Sequence, residues 1–200
     1  MLTDLQNYMP ANSMLWQGRK DSLAGERFFQ HVECVDIRSY TLKKLKQTVF
    51  IGFCSDAGIS RNEGRLGAKE GPDALRKQLA KLACHTSQEY LDIGNIVCND
   101  DQLEFSQQQF AKLLNYCHQQ GLKTIAFGGG HEIAWAHFSG LVPRYPKIGI
   151  INFDAHFDLR PIEKNIGATS GTGFWQIAKD LEICYWQYFY TRLIKLKYRL

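Results

Sequence analysis

No stretch of about 18 apolar residues occurs in this chain, so a membrane-spanning helix is not expected. A secretory signal core is lacking as well, because Asp4, Asn7, Pro10 and Asn12 interrupt the first 19 residues. None of the six cysteines forms a C-x-x-C pair, and no histidine lies at zinc-finger spacing from them. The chain therefore reads as a cytoplasmic protein with reduced, buried thiols. Before the last 20 residues there is no cluster of Lys and Arg interleaved with aromatics, which argues against nucleic acid as a partner. Internal repeats and low-complexity linkers are absent too.

What is present is a moderately charged globular composition. Apolar residues make up 44% of 200 residues and the formal net charge is +4. That is enough apolar material for a substantial core in one domain, or in part of a larger one. Short apolar runs alternate with stretches of helical period. Residues 48–54 (TVFIGFC), 123–127 (KTIAF) and 147–153 (KIGIINF) read as buried strands, and residues 90–93 as a shorter one. Helices are expected over 71–83, with Pro72 in the first turn and Leu75, Leu79 and Leu82 at helical spacing, and over 102–120, closed by Gly121. A further helix is expected over 132–141. Strands alternating with helices predict a three-layer α/β/α fold with a mainly parallel sheet. In such sheets ligands bind at the carboxyl ends of the strands.

Two polar clusters fall at that edge. The first is Gly128-Gly129-Gly130-His131-Glu132, a turn that lets the backbone approach a ligand closely and presents His131 at the rim. A plain strand-to-helix turn explains it equally well by itself. A phosphate loop does not, since the Lys-Ser/Thr pair is missing. The second cluster is Asp154-Ala155-His156-Phe157-Asp158. If strand geometry continues, positions 154, 156 and 158 share one side and bring an imidazole and two carboxylates together. Unpaired burial of such groups is costly, and a divalent cation offsets it. A mixed His/carboxylate set suits Mn2+, with Zn2+ and Fe2+ open on ligand grounds. Asp154 is placed to bridge two ions, which together activate a water near neutral pH.

The two motifs together resemble the arginase, agmatinase and formimidoylglutamase family, which pairs GG-x-H with D-A-H-x-D. An upstream stretch is similar as well: Arg61-Asn62-Glu63-Gly64-Arg65-Leu66-Gly67-Ala68, then Gly71-Pro72-Asp73-Ala74-Leu75-Arg76. The resemblance covers residues 45–179. Two details favour the formimidoylglutamase branch: the GGGHE form of the first motif, and Asp158-Leu159-Arg160-Pro161 followed by Ala168-Thr169-Ser170-Gly171-Thr172-Gly173-Phe174. Arginases usually carry a histidine shortly after that Ser-Gly, and here Thr172, Gly173 and Phe174 stand there. Gly173 replaces the proline usual in the branch.

The resemblance implies an arginase-like fold and hydrolysis of a small molecule, N-formimidoyl-L-glutamate, to L-glutamate and formamide in histidine degradation. It implies His131, Asp154, His156 and Asp158 as Mn2+ ligands. His131 and Asp158 would serve one ion, His156 the other, with Asp154 between them. Asp158 would also be catalytic, orienting the attacking water. Arg160, Thr169 and Ser170 are candidates for the substrate carboxylates. The family's downstream S-x-D-x-D-x-x-D-P motif is missing, so the fold is expected to be incomplete at the C-terminus and the binuclear centre at most partly assembled. An inactive chain follows from that, with an unclosed sheet edge open to homo-oligomer formation. The expected layout is an N-terminal segment (1–44), a partial α/β domain (45–179) and an aromatic, basic tail (180–200) that resembles a frameshift product. Another ureohydrolase of agmatinase type, a zinc deacetylase and a non-catalytic metal-binding fragment are the competing readings. Arg65, Arg76, His31, His85, His118 and His137 are read as structural or solvated.

Overall fold

Seven consecutive residues without charge, five of them β-branched or aromatic, form the central strand. The computed structural model describes residues 2, 4–41, 47–99, 102–181 and 189–190. Its strands are β1 (Tyr8–Met9), β2 (Val32–Cys34), β3 (Thr48–Cys54), β4 (Tyr90–Val97), β5 (Lys123–Gly128), β6 (Phe153–Asp154) and β7 (Phe189–Tyr190). The α-helices are α1 (Ala57–Arg61), α2 (Gly71–Leu79), α3 (Leu103–Gln119), α4 (Ile133–Leu141) and α5 (Gly173–Leu181). β3 pairs in parallel with β4 on one side and with β5 on the other. The outer edge of β4 takes β2 in parallel and β1 antiparallel. The N-terminal segment is thus laid along the sheet.

Period two divides the core between the two faces of the sheet. Val49, Ile51 and Phe53 join Leu91, Ile93 and Ile96 beneath the apolar side of α3, which supplies Leu103, Phe110, Leu113, Leu114 and Cys117. On the opposite face Phe50 stacks between Trp16, Tyr90 and Phe127, with centroid separations of 5.6, 5.2 and 5.3 Å. Helical layers cover both faces, as the alternating pattern predicts.

The second face holds a buried charge. Arg76 of α2 is 1% exposed and its guanidinium forks onto Asp92, Nε to Oδ2 at 2.6 Å and Nη2 to Oδ1 at 2.8 Å. Nη1 reaches Asn95 Oδ1 at 2.7 Å, and Trp16 Nε1 donates to Asp92 at 2.6 Å. The register between β3 and β4 shifts by one residue here, and Gly94 sits at φ +84. That bulge turns both Asp92 and Asn95 toward α2. Gly52 opposite leaves the room: a Cβ there would lie 2.0 Å from Asn95 Oδ1.

Several expectations change. The helix begun at Gly71 stops at Leu79, and Leu75 and Leu82 are 44% and 54% exposed. Pro72 and Arg76 are its buried members instead, because the bulge offers polar partners rather than an apolar seat. β4 runs through Val97, four residues beyond the expected end, since β1 extends its pairing. β5 is only half-buried, with Ile125 exposed. The run 147–153 is not a buried strand. Only Phe153 and Asp154 are extended, paired with β7, while Ile151 and Phe153 are 66% and 74% exposed. An apolar run becomes a sheet strand only where an edge takes its N–H and C=O groups. Among the described residues β5 pairs with β3 alone and this run joins no strand of the main sheet. No helix among the described residues is long and apolar enough to cross a membrane. The tail expected over 180–200 lies almost wholly outside the described residues.

Replacing Arg76 by Met should leave Asp92 buried without its cation and cost about 3–5 kcal/mol. A urea unfolding curve measures it; a loss within experimental error would show the pair to be dispensable.

Candidate metal centre

The ends of β3 and β5 fix the first part of the site. Gly129 N–H donates to Phe53 O at 2.7 Å and Gly130 N–H to Ser55 O at 3.0 Å, so the glycine turn lies flat against the end of β3. A Cβ at Gly129 would sit 2.4 Å from Ser55 O, which leaves glycine as the residue that fits. Behind this turn Glu132 is fully buried. Its Oε1 accepts from Ser55 Oγ at 2.8 Å and from Gly58 N–H at 3.0 Å, and its carbonyl accepts from Gln107 Nε2 at 2.8 Å. Burial raises the Glu132 carboxyl above its ordinary range, opposed by those hydrogen bonds. The side chain therefore ties the glycine turn to Ser55 and α1, its carbonyl ties it to α3, and together they hold the neighbouring His131 outward.

His131 meets the second cluster. Its Nδ1 lies 2.7 Å from Asp158 Oδ2 and 3.3 Å from Asp154 Oδ2, and its ring stands edge-on to Phe174. The Asp158 carboxylate raises the His131 pKa, burial lowers it, and the net direction is up. Despite the short separation, no hydrogen-bond donor is aligned on Asp158 Oδ2, which is buried. The ligand atoms of His131, Asp154 and Asp158 all lie within 4.8 Å of one another, the one such group among the described residues. A buried carboxylate oxygen facing an imidazole, with a second carboxylate beside them, makes a donor set that a divalent cation completes.

The strand geometry expected through residue 158 does not persist. β6 ends at Asp154, whose Oδ1 accepts from His156 N–H at 2.9 Å in a local turn. The His156 side chain is 78% exposed, 3.4 Å from Asp154 Oδ1 and outside the three-residue group. Asp158 is brought back by a backbone at φ +48, and its carbonyl accepts from Phe174 N–H at 3.1 Å. Three of the four residues expected as ligands thus converge, and the fourth is turned to solvent because the chain turns one residue after the strand.

A cavity of about 740 Å³ opens from this group and is walled by Asn62, Arg160, Ser170 and Gly171. Arg160 is exposed to it, and its Nη1 donates to Asn62 Oδ1 at 2.5 Å. Ser170 Oγ accepts from Asn62 Nδ2 at 3.1 Å, and Ser170 N–H donates to Gly58 O at 3.0 Å. Arg61, which pairs with Glu104 at 2.5 Å and donates to Ala168 O at 3.0 Å, anchors the same loop. Thr169 does not line the cavity. It is buried, and its Oγ1 accepts from Gly171 N–H at 3.2 Å, so it braces the turn rather than facing a substrate. Asn62 and Glu132 both stand in the motif stretches that carried the resemblance, and their roles were missed. Nothing in residue type or spacing marks an asparagine as a link between two loops about a hundred residues away.

A sequence profile of the arginase family matches residues 46–190. The chain belongs to that family. Formimidoylglutamases of Legionella pneumophila (strain Lens) and Vibrio vulnificus (strain CMCP6) are similar to this arginase-family chain at 57% and 42% identity, over 182 and 196 residues. Those alignments cover 91% of the chain but 57% and 58% of the two relatives. The chain therefore spans a little over half the length of these curated relatives. The crystal structure of Trypanosoma cruzi formiminoglutamase with Mn2+ superposes at a TM-score of 0.62 and 29% identity, covering 67% of this chain and 48% of that one. Formimidoylglutamase from Bacillus subtilis reaches a TM-score of 0.66 at 19% identity, over 77% and 48%, a likeness of fold. The α/β fold is arginase-like, as expected.

In the metal-free protein His131 should titrate above its ordinary 6.5, and Asp158→Asn should bring it down. A raised pKa means that this pair stabilises the fold below 6.5 and that the contribution is lost as pH rises through the raised value. Histidine ring NMR across pH reads both. Glu132→Ala should separately cost about 1–3 kcal/mol by leaving the Ser55 hydroxyl and Gly58 amide without an acceptor. Thermal unfolding measures that loss.

Proposed function

We propose that this chain carries the metal-binding and substrate-binding half of a formimidoylglutamase, with Mn2+ as its cofactor. The observation that supports the reading most directly is the convergence of His131, Asp154 and Asp158 beside a cavity whose wall bears Arg160 and Ser170. The similarity to formimidoylglutamases along 91% of the chain adds the substrate, N-formimidoyl-L-glutamate. A cytoplasmic setting fits a catabolic step on a small molecule.

The residues present fit the ion. When bound, the metal supplies Lewis acidity and makes water a nucleophile near neutral pH. Asp158 and Asp154 would hold it by their carboxylates and His131 by Nδ1, once the proton drawn there by Asp158 has left. Arg160 and Ser170 would orient the glutamate portion so that the formimidoyl carbon faces the three ligands. Asp158, held at the cavity floor by the Phe174 amide, is placed to accept a proton from the attacking water. Water adds to the formimidoyl carbon, the bond from that carbon to the glutamate nitrogen breaks, the nitrogen takes a proton, and formamide and L-glutamate leave. His156 faces solvent, which favours a second reading: a chain that binds one ion and does not turn over.

Electron paramagnetic resonance titration should find one tightly held Mn2+ per chain. His131→Ala or Asp154→Ala should abolish that binding, and the affinity should fall as pH drops and His131 takes up its proton. A formamide-release assay on N-formimidoyl-L-glutamate, with arginine and agmatine as controls, then tests the chemistry. Turnover of arginine or agmatine in preference would overturn the substrate. Bound Mn2+ with no formamide would establish the second reading.

A further inference from the structure

The cavity wall contains a hydrogen-bonded relay whose polarity is fixed by chemistry. Arg160 can only donate, because a guanidinium has no acceptor. The amide group of Asn62 must therefore turn its oxygen to Arg160, at 2.5 Å, and its nitrogen to Ser170, at 3.1 Å. Ser170 Oγ then has to accept, and its own hydrogen is left free to point elsewhere. Its backbone is pinned by the bond from its N–H to Gly58 O, so the hydroxyl cannot drift from the wall. No carboxylate among the described residues pairs with Arg160. One neutral amide thus aligns a guanidinium without cancelling its charge, and aims a hydroxyl donor beside it.

From this arrangement we propose that Asn62 is a positioning residue that sets up a carboxylate subsite, in which the Arg160 fork and the Ser170 hydroxyl donate to one carboxylate of the ligand. Two outward donor groups around a net positive charge select an anion with planar, paired oxygens. A cationic tail such as a guanidinium or primary amine would meet like charge and no acceptor. The subsite lies in the same cavity as His131, Asp154 and Asp158. It selects substrates that carry a carboxylate at one end and the scissile group at the other. The inference deepens the formimidoylglutamase reading and rests on it for the identity of the cavity.

The test uses the whole chain and L-glutamate as probe, with agmatine as the cationic control, followed by calorimetry or ligand-observed NMR. Asn62→Asp is the deciding variant because it keeps size and inverts polarity. The new carboxylate accepts from Arg160 and from Ser170 alike, neutralising the guanidinium and pulling the serine proton inward. A merely structural brace would be kept or strengthened by this change. We expect the melting temperature to hold while glutamate affinity falls roughly tenfold or more. Asn62→Ala, which frees both partners, should also weaken glutamate binding while Mn2+ affinity stays unchanged. Agmatine should not bind the unaltered chain.

Equal glutamate affinity in Asn62→Asp and the unaltered chain overturns the proposal, and so does a chain that binds no glutamate. Glutamate binding that depends on Asn62 in a chain that takes up no Mn2+ would support the subsite and count against the hydrolase alone.

Discussion

The buried pair of Arg76 and Asp92 is the interaction on which the rest of the architecture is hung. Two opposite charges without access to water hold only if nearly every donor and lone pair is answered. Here Trp16, Asn95 and the carbonyl of Gly94 join the two-point fork. The cluster links the N-terminal segment, α2 and the irregular part of β4, and the Arg76 guanidinium also lies over the Phe127 ring of β5 at 5.4 Å. Satisfying it fixes the register of three parallel strands, because a slip of one residue would send Asp92 to the other face. The carboxyl ends of β3 and β5 are set by that register. The glycine turn before His131 is docked on those ends.

A second buried carboxylate, Glu132, carries the order of the sheet into the site. It gathers Ser55, Gly58 and, through its carbonyl, Gln107, so the loop after β3 and the helix after β4 both report to the residue beside His131. Gly58 in turn receives the Ser170 amide, which connects the same network to the cavity wall. The candidate metal ligands and the wall are supported by one set of hydrogen bonds from different parts of the chain.

How far the sequence could be read follows from this division. β3 and α3 were legible because their burial depends on their own periodicity: a charge-free run of seven, and an apolar stripe over 17 residues. The convergence of His131 and Asp154 was legible because each motif follows an apolar run, His131 three residues past the end of β5 and Asp154 as the last residue of β6, whereas Asp158 joins them through a turn. Arg76 was not, since a lone arginine on a helix says nothing of the bulge that receives it. The strand geometry expected through residue 158 and the run 147–153 were misjudged for a shared reason. Both readings assumed that an apolar stretch continues as sheet, and pairing depends on a neighbouring edge that local pattern does not reveal. Asn62 was passed over because its meaning resides in two partners remote in sequence.

The backbone at Asp158 has a further implication. With φ at +48, the residue occupies a region that aspartate, asparagine and glycine tolerate and most side chains avoid. The main chain, rather than side-chain rotation, therefore brings its carboxylate under His131. Exchange for glutamate would preserve the charge yet lengthen the arm by one methylene at a position where the backbone has no slack to retreat. At this point in the fold, conformation restricts the alphabet before chemistry does.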